Sequence, residues 1–387
     1  MTGPMWPPTS PRFTPLCDDG GFTVKVLVVS LLHPVPANSS RGVFVDDHIE
    51  LLRSMGHEVR TVNPLPRMPR YAEARRSTMM GVAKTPRSWT HRGHRVLVPR
   101  FFALPEHPYP RLTLASVARR AGWVERQLEQ WRPEVIVCHT LWPVAGLAER
   151  LAARWSVPWI GVVHGYDVDV ALQKPNLKRH VERLMASCHT LVCASERLEE
   201  AIVDAVEASV QSVTIPCVTE VDREWRRPVK PLSKPWKKEA IDILFPADPR
   251  RPEKRHLLAL QTGEALEQRG WMVGITSLRH QPRSIVYDRM LVADVTLVTS
   301  TREAGPLVAR ESLLCGTPVV SVDVGEVRRY LPDEWVCDPD PEALADGIEQ
   351  AFRHGWQADE SVEERLAFAG REAVIEAWSE VLATLEA

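Results

Sequence analysis

Two carboxylates stand eight positions apart, Glu303 and Glu311, within Ser300–Gly316, STREAGPLVARESLLCG. A strand pattern ends at Ser300, a short loop presents Glu303, and Pro306 suits the first turn of a helix that carries Glu311. The amides near Gly305, Leu307 and Val308 would point out of the positive end of that helix, where an anion such as a diphosphate is favoured. The two carboxylates would accept hydrogen bonds from sugar or ribose hydroxyls. Spacing alone is equally served by a loop acid and a solvent-facing helix acid. A basic cluster, Arg250, Arg251 and Lys254, precedes another helix pattern. Such a cluster is a candidate anion site; the plainer alternative is a solvated helix approach. His164 ends a strand pattern and precedes Gly165, which permits a tight turn. It is either a site residue or a structural loop histidine, and His139, also at a strand end, poses the same choice.

The elements that must position these residues alternate. Val24–Leu32 (VKVLVVSLL) is a continuous β-branched run, as expected for a strand buried on both faces. Val45, Ile49, Leu52 and Met55 have helical spacing up to Gly56, and His57–Val62 reads as a second strand, completing a βαβ unit. Strands follow at 134–138, 158–164, 190–195 and 213–216, with helices at 144–155 and from Glu196. Residues 222–240, DREWRRPVKPLSKPWKKEA, are rich in proline and charge and read as a linker. The pattern restarts with strands at 241–247, 272–276, 294–300 and 318–323, and helices at 256–268, through Glu311, at 341–352 and over 362–385.

This predicts a disordered tail over 1–22, an α/β domain over 23–220, a linker over 221–240, a second α/β domain over 241–375, and a last helical segment over 376–387 that packs back on the first domain. Ligands of open parallel sheets sit beyond the carboxyl ends of the strands, so two such sheets would face each other across a substrate cleft.

Composition is that of a globular chain, 44% hydrophobic and 25% charged, with a formal net charge of −2 that gives no global field for nucleic acid. Seven cysteines lie mostly in apolar runs without zinc spacing, which suits reduced thiols and a cytoplasmic setting. No apolar stretch is long enough to span a bilayer, and residues 1–22 lack the apolar core of a signal peptide. Arg60–Arg111 departs from this balance, with eleven Lys or Arg against two acids and Trp89, Phe101, Phe102 and Tyr109 interleaved. It reads as a solvated surface loop region or as a surface for an anionic membrane or phosphorylated acceptor.

The segment SxxEAGPLVARESLLCGTPVVSVDVGEV is similar to the donor-binding segment of glycosyltransferase family 4, continuous over roughly 28 residues. NSSRGVFVDDHIELLRSMGHEV, CHTLWPVAGLA, VVHGYDVD, LVCAS, VTIPC, FPADPRRPEKRHLLAL and YDRMLVADVTLVTS extend the resemblance over most of the chain, apart from the tail and residues 63–110. The resemblance implies a GT-B fold, two Rossmann-like domains facing across a cleft, and a retaining, metal-independent hexosyltransferase-type enzyme of polysaccharide biosynthesis. Its partners would be a nucleotide-sugar donor and a glycan, lipid-linked or small-molecule acceptor, with no cofactor; the net charge adds the expectation of no nucleic acid, and the Arg60–Arg111 stretch that of peripheral contact with an anionic membrane on the cytoplasmic face. By resemblance, Glu303 meets donor-sugar hydroxyls, Glu311 the ribose, His164 the reaction centre, and Lys254 with Arg250 or Arg251 the donor phosphates, while Gly42 lies near phosphate and acceptor. Gly305, Pro306, Leu307 and Val308 form the phosphate-facing helix start. Asp167-Val168-Asp169 is a DxD triplet of the kind that holds a metal in other glycosyltransferases, though this fold does not use it. A non-catalytic scaffold and a nucleotide-sugar epimerase are the competing readings. Three departures from the family pattern are Ala304 in place of Gly, Ser312 in place of Ala, and CVTEVD (217–222) in place of a tighter turn. Ala247-Asp248 occupies the usual Gly-Arg position.

Overall fold

Hydrophobicity on successive residues of VKVLVVS requires burial on both faces of one strand. In the computed structural model, Lys25–Ser30 (β1) lies inside an eight-stranded sheet. Leu27 and Val29 enter one core and Val26 and Val28 another, the alternation that a strand imposes. The structure describes residues 23–73, 79–206, 211–228, 240–354 and 361–385. The tail expected over 1–22 and most of the expected linker lie outside the described residues.

Glu58–Val62 (β2), Ser88–His91 (β3), His94–Leu97 (β4), Val135–His139 (β5), Trp159–Val163 (β6), Thr190–Cys193 (β7) and Ser212–Thr214 (β8) complete the first sheet, ordered β8-β7-β6-β5-β1-β2-β4-β3. Neighbours are parallel except the β3–β4 hairpin at the edge. Ala240–Phe245 (β9), Met272–Ser277 (β10), Val295–Val298 (β11), Val319–Val322 (β12) and Val336–Cys337 (β13) form an all-parallel second sheet, β10-β9-β11-β12-β13. Strand order reverses between β1 and β5 and between β9 and β11, and ligands of such sheets gather at that point. The helices that matter for the site are Val43–Ser54 (α1), Glu196–Ala205 (α2), His256–Gln268 (α3), Arg283–Val292 (α4), Leu307–Leu314 (α5) and Arg371–Ala383 (α6).

The two strands β3 and β4 correct the expectation of a surface loop there. Val96 and Val98 pack with Leu65 and Val82 in a small satellite core. A run this short among arginines has too few periods for alternation to show in the sequence. The continuous helix expected over 362–385 is also broken: Val362–Leu366 gives way to a tight turn, and Gly370 precedes α6.

That break sends α6 back across the molecule, where Val374, Trp378, Val381 and Leu382 join Val26, Val28, Val45 and Ile49 in the first domain's core. The CVTEVD segment is the first crossing between domains. Val218 lies in the first domain's core and Val221 in the second's, and the Thr219 amide donates to the Ala369 carbonyl at 2.8 Å. Trp378 is 3% exposed and lies 4.2 Å from the His48 ring. Trp378→Ala should therefore lower unfolding free energy by roughly 3–5 kcal/mol. Urea denaturation measures this, and a loss below about 1 kcal/mol would mean that α6 does not anchor the first domain.

Candidate active site

The cleft is lined by the carboxyl ends of both sheets. β6 delivers His164, and β11 leads through Thr299 and Ser300 to Glu303. The two loops touch. A Cβ built on Gly165 would sit 3.8 Å from the Ala304 amide nitrogen. Arg197 on α2 pairs with Asp169 at 2.9 and 3.0 Å and donates to the Glu303 carbonyl at 3.2 Å. His164 and Glu303, 139 residues apart in sequence, thus belong to one site.

Lys254 Nζ and Ser300 Oγ both donate to Glu303 Oε1, the latter at 2.6 Å. Lys254 ends the turn Pro252–Lys254, which is fixed by the Thr301 amide on the Glu253 carbonyl (2.9 Å) and Thr299 Oγ1 on the Lys254 carbonyl (2.7 Å). Arg250 instead clasps Asp248 at 2.9 and 3.2 Å, and these bonds hold the Asp248 carboxyl down at about 2. Arg251 pairs with Glu253 at 2.8 Å. Of the three predicted cations, Lys254 alone contacts Glu303 among the described residues.

Glu311 is 5% exposed, so the solvent-facing alternative fails. Its Oε1 accepts from Arg283 and, at 3.4 Å, from the Tyr287 hydroxyl, both on α4. Arg283 also donates to Asp47 on α1, across the cleft. Burial holds the Asp47 carboxyl up despite that partner. The helix bearing Glu311 begins at Leu307 with Pro306 at its N-cap, one position earlier than expected, and no side chain caps it. The first-turn amides of Leu307 and Val308 therefore retain anion-binding capacity. Gly305 is small for a reason: an added Cβ would lie 3.1 Å from Glu326 Oε2 and 3.6 Å from Arg310 Nη2.

Gly42 and Gly325 are held in left-handed backbone conformations. Gly42, φ 63°, caps α1 so closely that a Cβ would fall 2.6 Å from His33 N and Leu32 C. Gly325, φ 61°, supports the Glu303 loop, a Cβ there falling 3.0 Å from the Ala304 carbonyl oxygen. The departures at Ala304 and Ser312 are absorbed locally. Ala304 packs against the first core, and Ser312 Oγ bonds to Thr296 (2.8 Å) and to the Thr317 carbonyl (3.1 Å).

His164 is the first of three linked imidazoles. His139 Nδ1 lies 3.2 Å from His164 Nε2, and His139 Nε2 lies 2.7 Å from His48 Nδ1. Burial lowers His164 to about 4 and His48 to about 3, and takes His139 well below its ordinary value, so all three are neutral near pH 7. The DxD carboxylates are committed elsewhere. Asp167 accepts from the Trp142 amide at 3.1 Å and is raised to about 7 by burial, and Asp169 is held by Arg197.

Sequence reasoning missed Arg283, Tyr287, Asp47, Arg197, Arg310 and Glu326. Arg310 and Glu326 had a weak signal, since Arg310 interrupts the apolar face LVAxESLL and Glu326 follows Gly325. The others come together only through the tertiary fold. The six cysteines among the described residues are all free. No helix of the described residues is long and apolar enough to cross a membrane.

Two facing Rossmann-like domains with acid, base-rich turn and open helix start at one cleft define a GT-B glycosyltransferase. Solved structures similar to this chain share that fold. Sucrose-phosphate synthase of Thermosynechococcus elongatus superposes with TM-score 0.64 at 19% identity, over 93% of this chain and 99% of that one. HepE of Anabaena, solved with UDP and glucose, gives 0.61 at 13% (93% and 99%). A trehalose-phosphate synthase of Burkholderia xenovorans, solved with glucose-6-phosphate, gives 0.61 at 14% (94% and 100%). The description "Glycosyl transferase 4-like domain" matches residues 42–237, and "Glycosyl transferases group 1" matches 264–371. The chain therefore belongs to the family 4-like glycosyltransferases. A curated relative is TuaC of Bacillus subtilis (strain 168), provisionally assigned as a teichuronic acid biosynthesis glycosyltransferase, 24% identical over 79% of this chain and 82% of that one.

Proposed function

We propose that the protein transfers a hexose from a nucleotide-sugar donor, with retention of anomeric configuration and without a metal, to a glycan, lipid-linked or small-molecule acceptor in polysaccharide biosynthesis. The observation that carries this reading is the Lys254–Glu303 pair beside the uncapped start of α5, facing the His164 loop across the cleft. As the glycosidic bond breaks, negative charge passes to the nucleoside diphosphate. Lys254 and the α5 amides neutralise it in a partly dehydrated site, where fixed dipoles count for more than in water. Glu303 then orients sugar hydroxyls, and Glu311 the ribose once Arg283 yields one of its contacts. A thermal-shift panel of nucleotide sugars identifies the donor, because a ligand that binds only the folded state raises stability. NMR of the product reports anomeric configuration. Conversion of the donor sugar without acceptor would point to an epimerase, and tight binding without turnover to a scaffold.

Two results follow from this reading. Calorimetry in excess chelator should show nucleoside diphosphate binding that is unchanged on adding Mg²⁺ or Mn²⁺. Binding that vanishes in chelator and returns with metal would overturn the metal-free site.

The second concerns the acceptor-side surface. Tyr71, Phe102, Tyr109 and Leu112 are exposed by more than half, and Arg67, Arg70, Lys84, Arg87 and Arg111 are exposed in the same region. Aromatic and basic groups together suit an anionic lipid surface, and the attraction should weaken with salt. Flotation with vesicles containing anionic lipid should recover the wild type and lose a variant with these five basic residues replaced by Gln. Equal flotation of the two would remove the membrane contact.

A further inference from the structure

The three-histidine chain goes beyond the site residues assigned above, and its meaning rests on the reading that His164 meets substrate. His139 is the last residue of β5, and its ring lies nearly parallel to that of His164, 12° between planes. His48 on α1 continues the chain and is packed on Trp378 of α6. His48 is 6% exposed and His139 2%. All three line one small cavity, bounded also by Phe44, Cys217 and Trp378.

A neutral imidazole carries one proton, so two linked N···N contacts permit only two arrangements across the chain. In one, each ring donates toward His48. His48 would then hold its proton on Nε2, a buried atom with no hydrogen-bond partner. In the other, His48 Nδ1–H donates to His139 Nε2, and His139 Nδ1–H donates to His164 Nε2. His48 Nε2 is then bare, and His164 must carry its proton on Nδ1. Orphaned buried N–H groups are the rarer defect, which favours the second arrangement.

We infer that His139 and His48 are positioning residues that hold His164 in its Nδ1–H tautomer, so that His164 offers a hydrogen-bond donor to a sugar oxygen and does not act as a base. Donation from His164 places positive partial charge beside oxygen lone pairs. A bare Nδ1 could only accept, so it would serve a hydroxyl hydrogen and not a ring or glycosidic oxygen.

The test is the nitrogen-15 to carbon-proton correlation pattern of histidine-labelled protein without substrate, with His164 assigned by comparison with His164→Gln. Wild type in mildly alkaline buffer should show His164 with Nδ1–H. His139→Asn places an amide N–H where Nδ1–H stood and should keep that pattern, with transfer within about threefold of wild type. His139→Asp places an acceptor there, should convert His164 to Nε2–H, and should lower transfer by about thirtyfold or more. His48→Leu frees the far end and should give a mixture of the two forms. Wild-type His164 found with Nε2–H, or a His164 pattern unmoved by His139→Asp, overturns the inference. The spectrum needs no donor sugar. Absent transfer alongside the expected tautomer therefore counts against the proposed reaction and leaves the relay standing.

Discussion

Glu303→Gln and Glu311→Gln should each lose most transfer activity, but with opposite effects on the free nucleoside diphosphate. Gln keeps the size and one acceptor oxygen and loses the charge that strengthens a hydrogen bond to a hydroxyl. A charged hydrogen bond is worth roughly 1.5–3 kcal/mol, or about ten- to more than a hundredfold in rate if it is made in the transition state. Glu303 is also the carboxylate that holds Lys254. In Glu303→Gln the lysine is freed toward the phosphates, so diphosphate affinity should hold or rise while turnover collapses. Glu311 is buried against Arg283 and Tyr287. Glu311→Gln should weaken donor and free diphosphate alike, a uniform binding loss. Calorimetric affinity and turnover of both variants, with melting curves to confirm folding, decide it. Near-normal turnover in both would overturn the site, and weaker diphosphate binding in Glu303→Gln alone would reverse the roles.

What could be read from the sequence divides by range of interaction. β1, β5, β6 and β11 announce themselves because burial on both faces leaves nearly unbroken apolar runs. The Glu303–Glu311 segment could be read because strand end, loop and helix start are contiguous and each depends on near neighbours. β3 and β4 could not, since β3 pairs only with β4, β4 must reach the distant β2, and their apolar residues are few. The partners of the two glutamates show the same limit. Lys254 was named, but its grip on Glu303 depends on a turn braced by Thr299 and Thr301. Arg250 and Arg251 looked equivalent to it, and only the local acids Asp248 and Glu253 divert them. His164 was named for its position after a strand. In sequence His139 is ambiguous between structure and function and His48 carries no signal, because their link depends on three elements meeting at one cavity.

Arg283 gives the other large effect. It reaches Glu311 in its own domain and Asp47 on α1 of the facing domain, with its charge stabilised by both carboxylates. Arg283→Met keeps the apolar stem but leaves two carboxylates together with no cation. Removing one partner from such a buried group costs roughly 3–5 kcal/mol, far more than the loss of a surface pair. The pH dependence identifies the cause. Asp47 already has its carboxyl raised by burial, and losing Arg283 raises it further. A carboxyl whose folded value lies above its unfolded value binds a proton more readily in the folded state, so its penalty is full at high pH and fades as pH falls through the folded value. The stability gap between wild type and Arg283→Met should thus be widest near pH 8 and narrow toward pH 5, as read from urea midpoints. A gap independent of pH would mean that lost packing around the arginine stem dominates. The double variant Asp47→Asn with Arg283→Met removes one of the stranded charges and should recover part of the loss. Failure to recover would show that Asp47 and Arg283 are not energetically coupled across the cleft.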